Sequence, residues 1–278
     1  MMKMQILGSG QDGGIPHTGC YCSTCCKARS NPEYRRFSPS AAVFDEKDGS
    51  CYLIDASPDF KHQLDMVREH TPETRRGGKI PVDGILLTHG HFGHIAGLWH
   101  LGREVVEEMD LPVFATSAMN SFLKSNHPFS LLIQNGNIRL EEIHSRRRFE
   151  LDGVGFSPVE VPHRNEVGDT VAYIVKSRRR IFYMPDIDRW TSSIIKEIDE
   201  CDIAFIDGTF FSKNEISRFE DVPHPPMQET VRLLENVDAE IYFTHINHTN
   251  PANSDGKERK YIESRGFKIA NDGMVFAM

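Results

Sequence analysis

Short apolar or alternating runs recur along the whole chain, and most are bounded by Gly, Pro, Asp or Ser. Runs of this kind predict strands. In the first half they fall at Met4–Leu7, Ala41–Phe44, Tyr52–Ile54, Gly84–Leu87 and Pro112–Ala115. In the second half they fall at Phe156–Val161, Val171–Val175, Ile181–Tyr183, Ile203–Ile206, Ile241–Phe243 and Met274–Ala277. A helical period appears between some of them. Phe60, Leu64 and Val67 follow Ser57-Pro58, which predicts an N-cap and a first-turn proline. Ile95–Met109 and Gln228–Leu234 are two further predicted helices, the latter with Met227, Val231 and Leu234 facing inward. No low-complexity stretch, linker or short repeat divides the chain. Strands and helices in both halves predict one α/β domain over residues 1–278, with packed sheets inside and helices outside.

Composition narrows the function classes. The 278 residues are 39% hydrophobic and 26% charged, an ordinary globular balance. Asp and Glu number 40 against 32 Lys and Arg, for a net charge of -8. This disfavours nucleic-acid binding through a generic basic surface. Arg178-Arg179-Arg180 lies between two predicted strands and is expected in an exposed hairpin turn; Arg146-Arg147-Arg148 is expected to be solvated too. No apolar run approaches the roughly 18 residues of a membrane helix. Met1–Gly10 lacks the pattern of a signal peptide and reads as a first strand, so a cytoplasmic location and no membrane partner are expected.

Two clusters carry the candidate chemistry. His89-Gly90-His91-Phe92-Gly93-His94 follows the apolar Gly84–Leu87, so three imidazoles stand where a buried strand ends. Neutral imidazole is a common ligand for zinc, iron, copper and nickel, and this spacing predicts a metal site. Cys20-Tyr21-Cys22-Ser23-Thr24-Cys25-Cys26 follows a glycine-rich opening. In a reducing compartment such clustering points to metal rather than disulfides. Cys20, Cys22 and Cys25 can supply three thiolates of a tetrahedral zinc site, the alternative being a group of free or redox-active thiols; Cys26 is a poor fourth because adjacent side chains diverge. His17 and His224 are the candidate fourth ligands. Gly13-Gly14 reads as a turn beside the metal site, and the opening lacks the Lys-Ser/Thr of a phosphate loop.

The histidine segment resembles the His-x-His-x-Asp-His signature of the metallo-β-lactamase superfamily. That resemblance implies an αββα sandwich of two mixed sheets with helices on the outside and a metal site at one edge of the sheets. It implies further ligands past later strands, where this chain has His163, Asp186 and His245. Carried over, His89, His91 and His163 hold one metal, Asp186 bridges, and His94 and His245 hold a second. The chain departs from the pattern at Gly93, where the family has Asp. His248 and Asp59 are candidate substitutes, though the family pattern licenses neither. Asp55 is placed either as a helix-end carboxylate or as a partner that orients a ligating His through its ring N–H.

Further motifs resemble the pyrroloquinoline-quinone biosynthesis B branch: Leu7-Gly8-Ser9-Gly10, Cys-x-Cys-x-x-Cys, Asp55-Ala56-Ser57-Pro58-Asp59, Asp207-Gly208-Thr209-Phe210, Thr244-His245-Ile246-Asn247, Thr249-Asn250-Pro251 and Asp272-Gly273-Met274. The cysteines and Arg35-Arg36 are also similar to the phosphonate-pathway cyclic-phosphate phosphodiesterases. This resemblance favours His224 as the fourth ligand of a structural zinc, a site that contributes on the order of 10 kcal/mol to folding. The implied function is a metal-dependent hydrolase of a phosphodiester or other small ester. Asp186 would bridge. His248, three residues past His245, reads either as a general acid or ligand or as a solvent-exposed loop histidine. The active centre would hold one or two divalent metals: zinc, iron or manganese. The alternatives are an oxidative role on a peptide-derived precursor with a redox metal, and a binding protein with an incomplete centre. The expected partner is thus a small-molecule or peptide-derived substrate, and a homodimer is left open.

Overall fold

The computed structural model describes residues 1–71, 80–164, 166–217 and 221–278. Two seven-stranded mixed sheets form the centre. The first contains β1 (Met2–Gly8), β2 (Ser40–Asp45), β3 (Cys51–Ile54), β4 (Gly84–Leu86), β5 (Leu111–Ala115) and β6 (Ile138–Glu142), in that order, with β14 (Val275–Ala277) outside β1. The second runs β13 (Lys268–Ile269), β12 (Glu240–Thr244), β11 (Ile203–Asp207), β10 (Arg180–Met184), β9 (Val171–Lys176), β8 (Val154–Glu160) and β7 (Phe149–Leu151).

Most central strands are apolar on both faces, and the period of two sorts their side chains into layers. Ile6, Val43 and Ile54 from the first sheet meet Phe156, Tyr173, Tyr183 and Phe205 from the second in one buried cluster between the sheets. The alternate residues face outward. Leu7, Phe44 and Leu53 pack under α2 (Phe60–Arg68), α4 (Ser117–Ser125) and α5 (Phe129–Gln134) through Phe60, Val67, Leu123 and Phe129. Phe182, Ile206 and Phe243 pack under α6 (Ser192–Asp199), α7 (Met227–Leu233) and α8 (Lys257–Ser264) through Ile194, Val231 and Ile262. The result is the expected four-layer order of helices, sheet, sheet and helices. The remaining α1 (Ser23–Ser30) carries Cys25, and α3 (Phe92–Ile95) carries His94.

Three sequence expectations are corrected. The helix expected over Ile95–Met109 is only the short α3 followed by a 3-10 turn, Ala96–Leu101. Gly97 allows a close approach in this turn, since a Cβ there would lie 2.3 Å from the Ser57 carbonyl. The cap of α2 is Asp59 rather than Ser57, whose hydroxyl instead accepts from the Asp59 amide at 3.1 Å. Strands β6, β7 and β13 were absent from the hydrophobic pattern because they are sheet-edge segments with exposed or half-exposed positions. Arg178 and Arg179 do lie in the β9–β10 hairpin, as expected.

Strand direction positions the site. β1 and β3 run parallel to each other across antiparallel β2, and β3, β4 and β5 are parallel. In the second sheet β10, β11 and β12 are parallel, and β8 joins that direction across antiparallel β9. In such sheets ligands bind outside the carboxyl ends of the strands. The residues at or just past the ends of β1, β3, β4, β8, β10, β11 and β12 include Asp12, Asp55, His89, His163, Asp186, Asp207 and His245.

Candidate metal centre

His89, His91 and His163 form one group at these strand ends. His91 Nδ1 lies 3.0 Å from His89 Nε2 and 3.2 Å from His163 Nε2. Three ring nitrogens converging on one small volume are poor mutual hydrogen-bond partners. Two nitrogens on one tetrahedral zinc at about 2.05 Å would be roughly 3.3 Å apart, close to what is seen. Their outer nitrogens are occupied: His89 Nδ1 by Thr88 Oγ1 at 3.0 Å, His163 Nδ1 by Asp188 at 2.8 Å and His91 Nε2 by Glu166 at 3.3 Å. Such partners fix the tautomer and aim the free nitrogen inward. Burial holds the pKa of His89 well below the ordinary histidine value, and the neighbouring imidazoles add to the effect. Burial lowers His91 as well. Both therefore present the neutral rings that a metal ligand requires.

A second group joins His94, His245 and Asp12. His94 and His245 are buried, and Asp12 Oδ1 lies 3.4 Å from the Nε2 atom of each. His94 Nδ1 donates to Asp55 Oδ2 at 2.6 Å, and His245 Nδ1 lies 2.8 Å from Thr209 Oγ1. Asp55 and His245 both adopt left-handed backbone, with φ of 67° and 58°. That costs on the order of 1–3 kcal/mol at a non-glycine residue and clusters at functional sites. Burial opposes charge on His94, but Asp55 and Asp186 outweigh it and hold its pKa well above the ordinary value.

Asp186 stands between the two groups. Its Oδ2 lies 3.0 Å from His94 Nε2 and 3.4 Å from His245 Nε2, and its Oδ1 lies 3.8 Å from His163 Nε2. Burial would raise its pKa, but His245, His94 and His163 hold it well below the carboxylate range. Asp186 Oδ2 and His94 Nε2 are both buried and, although 3.0 Å apart, neither makes a well-aligned hydrogen bond. Buried polar atoms are rarely left so. Such orphaned ligand atoms, facing one another, fit a cation between them, so the donor set suits a pair of divalent metals.

The thiolate group differs from its sequence expectation in one member. Cys20, Cys22 and Cys25 gather as expected, but the fourth residue is His248. Its Nδ1 is 3.5 Å from Cys20 Sγ and 3.6 Å from Cys22 Sγ. Zinc bonds of about 2.3 Å to sulfur and 2.05 Å to nitrogen put tetrahedral ligands roughly 3.6 Å apart. His17 stacks on His248 at 4.7 Å instead of joining the thiols, and Cys26 is exposed. Burial pushes the Cys25 thiol up to about 12.

His224, expected beside the cysteines, lies instead in a group with Asp186 and His245. It precedes α7, and its Nδ1 donates to Asp207 Oδ2 at 2.6 Å and lies 4.0 Å from Asp186 Oδ1. Asp207, at the end of β11, also accepts from the Ile187 and Thr209 amides, which anchors His224 to the strand ends. His248 is likewise displaced from its catalytic expectation, because the turn after His245 points it at the thiols. Asp59 does not reach the metal centre; it accepts from Ser38 at 2.7 Å. The residues that the sequence reading missed are Asp12, Arg164 and the outer partners Asp188, Asp207 and Thr209. The one signal for Asp12 was a carboxylate in the glycine-rich turn combined with a glycine where the signature has Asp.

A cavity of about 660 Å³ opens over the centre, lined among others by Asp12, His91, Arg164, Phe210 and His224. Arg164 Nη2 donates to His224 Nε2 at 2.9 Å.

Comparison with known proteins agrees with this geometry. The family model "Beta-lactamase superfamily domain" matches residues 51–246. Coenzyme PQQ synthesis protein B of Methylobacterium radiotolerans is 30% identical over 100% of both chains. The protein of that name from Rhizobium meliloti is 29% identical over 98% of this chain and 97% of its own. The crystal structure of Zn(2+)-bound PqqB from Methylobacterium extorquens superposes with a TM-score of 0.86 at 26% identity, covering 99% of this chain and 100% of that one. A diphosphatase of the PhnP family follows at 0.73 and 28% identity, covering 99% and 96%. Human tRNase Z, at 14% identity and a TM-score of 0.63, shares the fold. With its two sheets, outer helices and His/Asp strand-end cluster, the chain belongs to the β-lactamase superfamily and lies close to coenzyme PQQ synthesis protein B within it.

Proposed function

We propose that the chain is a metal-dependent hydrolase of a small anionic ester, with a phosphodiester the leading class. One observation carries this reading: Asp186 offers one oxygen to the His94–His245 pair and the other toward His163, the placement of a carboxylate shared by two cations. Bound there, two divalent metals would supply Lewis acidity and acidify a water to give a nucleophile near neutral pH. His89, His91 and His163 would hold one, and His94 and His245 the other.

The remaining steps belong to side chains. Arg164 sits in the cavity, and its planar fork suits a phosphate or carboxylate oxygen pair. A substrate anion that draws Arg164 away leaves His224 Nε2 free. Burial disfavours charge on His224, but Asp207 outweighs it and raises its pKa, so the freed Nε2 takes up a proton from water while Nδ1 keeps its own, and the charged ring can deliver the Nε2 proton to a leaving oxygen. A cavity of about 660 Å³ accommodates a small molecule. The thiolate group would hold a structural zinc that ties α1 to the loop after β12.

The test is turnover of bis(p-nitrophenyl) phosphate by zinc- and manganese-loaded protein. Asp186→Asn is expected to lower kcat by more than the roughly 100-fold typical of losing an outer partner of a ligand. Absence of turnover with both metals in the wild type contradicts the reading. A second reading, processing of a peptide-derived precursor with a redox metal, draws on the full-length similarity to coenzyme PQQ synthesis proteins B. Iron rather than zinc at the His/Asp centre of protein purified without added metal would favour it.

A further inference from the structure

We propose that Asp12 is a metal ligand of the second site and replaces the aspartate that the superfamily signature carries at the position of Gly93. The inference rests on the two-metal part of the functional reading and not on the reaction. A Cβ built on Gly93 would lie 2.0 Å from Asp12 Oδ1, 2.5 Å from its Cγ and 2.6 Å from its Cβ. A side chain at 93 and the Asp12 carboxylate therefore claim the same volume. Backbone conformation does not demand glycine here. Gly93 lies inside α3 and is absent from the positive-φ positions, so an L-residue fits the main chain. Glycine at 93 thus makes room for Asp12.

The carboxylate also has ligand geometry. Oδ1 is 3.4 Å from both His94 Nε2 and His245 Nε2, near the roughly 3.3 Å edge of a tetrahedral zinc site. His94 Nε2 is buried without a well-aligned hydrogen bond and lies between Asp12 Oδ1 at 3.4 Å and Asp186 Oδ2 at 3.0 Å. The main chain fixes the approach. Gly10 pairs with Ile246, the Gln11 amide donates to the Ile246 carbonyl at 3.0 Å, and the Ile246 amide donates to Ser9 at 2.8 Å. These bonds stitch the loop after β1 to the loop that carries His245. Ser38 Oγ donates to the Asp12 carbonyl at 2.8 Å and closes the turn. The carboxylate of the second site would thus come from the loop after β1 instead of from α3.

The experiment counts zinc per chain after dialysis and measures zinc affinity by competition with a chromophoric chelator. The wild type is expected to hold about three ions, two in the His/Asp centre and one on the thiols. Asp12→Ala is expected to lose one of the two, with affinity at that site down by at least about tenfold. The exchange variant Asp12→Gly/Gly93→Asp is expected to recover it. Two centre ions in Asp12→Ala with unchanged affinity would overturn the role of Asp12 while leaving the two-metal centre in place. No recovery in the exchange variant would also overturn it. A single centre ion in the wild type would overturn the two-metal centre and this inference together.

Discussion

Asp55 Oδ2 lies 2.6 Å from His94 Nδ1, and both side chains are fully buried. The same carboxylate accepts from the Thr88 amide at 2.7 Å and from Thr88 Oγ1, which in turn contacts His89 Nδ1 at 3.0 Å. One carboxylate at the end of β3 thus orients a histidine of each metal group. Asn is the informative replacement, because it tolerates the left-handed backbone that Asp55 adopts. Asp55→Asn is expected to keep the fold and weaken zinc binding at the centre by about 10- to 100-fold. Competition titration checks it; unchanged affinity would remove the orienting role.

The thiolate group makes a separable prediction. His248→Ala and Cys22→Ser are each expected to lose one zinc while the centre keeps its metals. Structural zinc contributes folding free energy directly, so both variants should also melt at lower temperature than the wild type. Metal analysis beside thermal unfolding reads both effects. Loss of metal from the His/Asp centre in these variants would contradict two independent sites.

His224 and Arg164 predict a split in the kinetics. Arg164→Ala removes an anion contact and is expected chiefly to raise KM for the phosphodiester. His224→Gln removes a proton donor and is expected to lower kcat by about 100-fold or more, with little change for a substrate whose leaving group needs no protonation. Equal loss with both leaving groups would assign His224 a structural role only.

Asp272 gives a pH prediction away from the metals. It accepts from the Ser9 and Phe37 amides at 2.8 and 2.6 Å, beside Arg36. Burial pushes its pKa up to about 6 against these contacts. The folded value exceeds the ordinary unfolded value of about 3.9, so the folded chain binds this proton more tightly. The contribution to stability is fully present below the unfolded value and is lost as pH rises through about 6. The stability of the wild type relative to Asp272→Asn is expected to fall between about pH 4 and pH 7, measured by urea unfolding. A flat difference would contradict the raised value.

Much of the fold was legible because its signal is local. Buried central strands such as Ile181–Tyr183 and Ile203–Ile206 are continuous apolar runs, and α2 shows its face through Phe60, Leu64 and Val67. The edge strand Ile138–Glu142 was not legible, since its pattern is mostly polar or half-exposed. The site divided in the same way. His89, His91 and His94 are close in sequence, and His163, Asp186 and His245 each follow a strand. The pairing of Asp12 with Gly93 and the exchange of roles between His224 and His248 depend on loop paths between distant strands. Residues 12 and 245 are brought together by the Gly10–Ile246 bridge, which no local pattern announces.

The most direct test of the central claim is an anomalous difference map, recorded at the zinc edge from crystals of the zinc-loaded protein. One peak is expected among Cys20, Cys22, Cys25 and His248, a second at His89, His91 and His163, and a third at His94, His245 and Asp12, with Asp186 between the last two. A single peak at the His/Asp centre, or a third peak out of reach of Asp12, would contradict this arrangement.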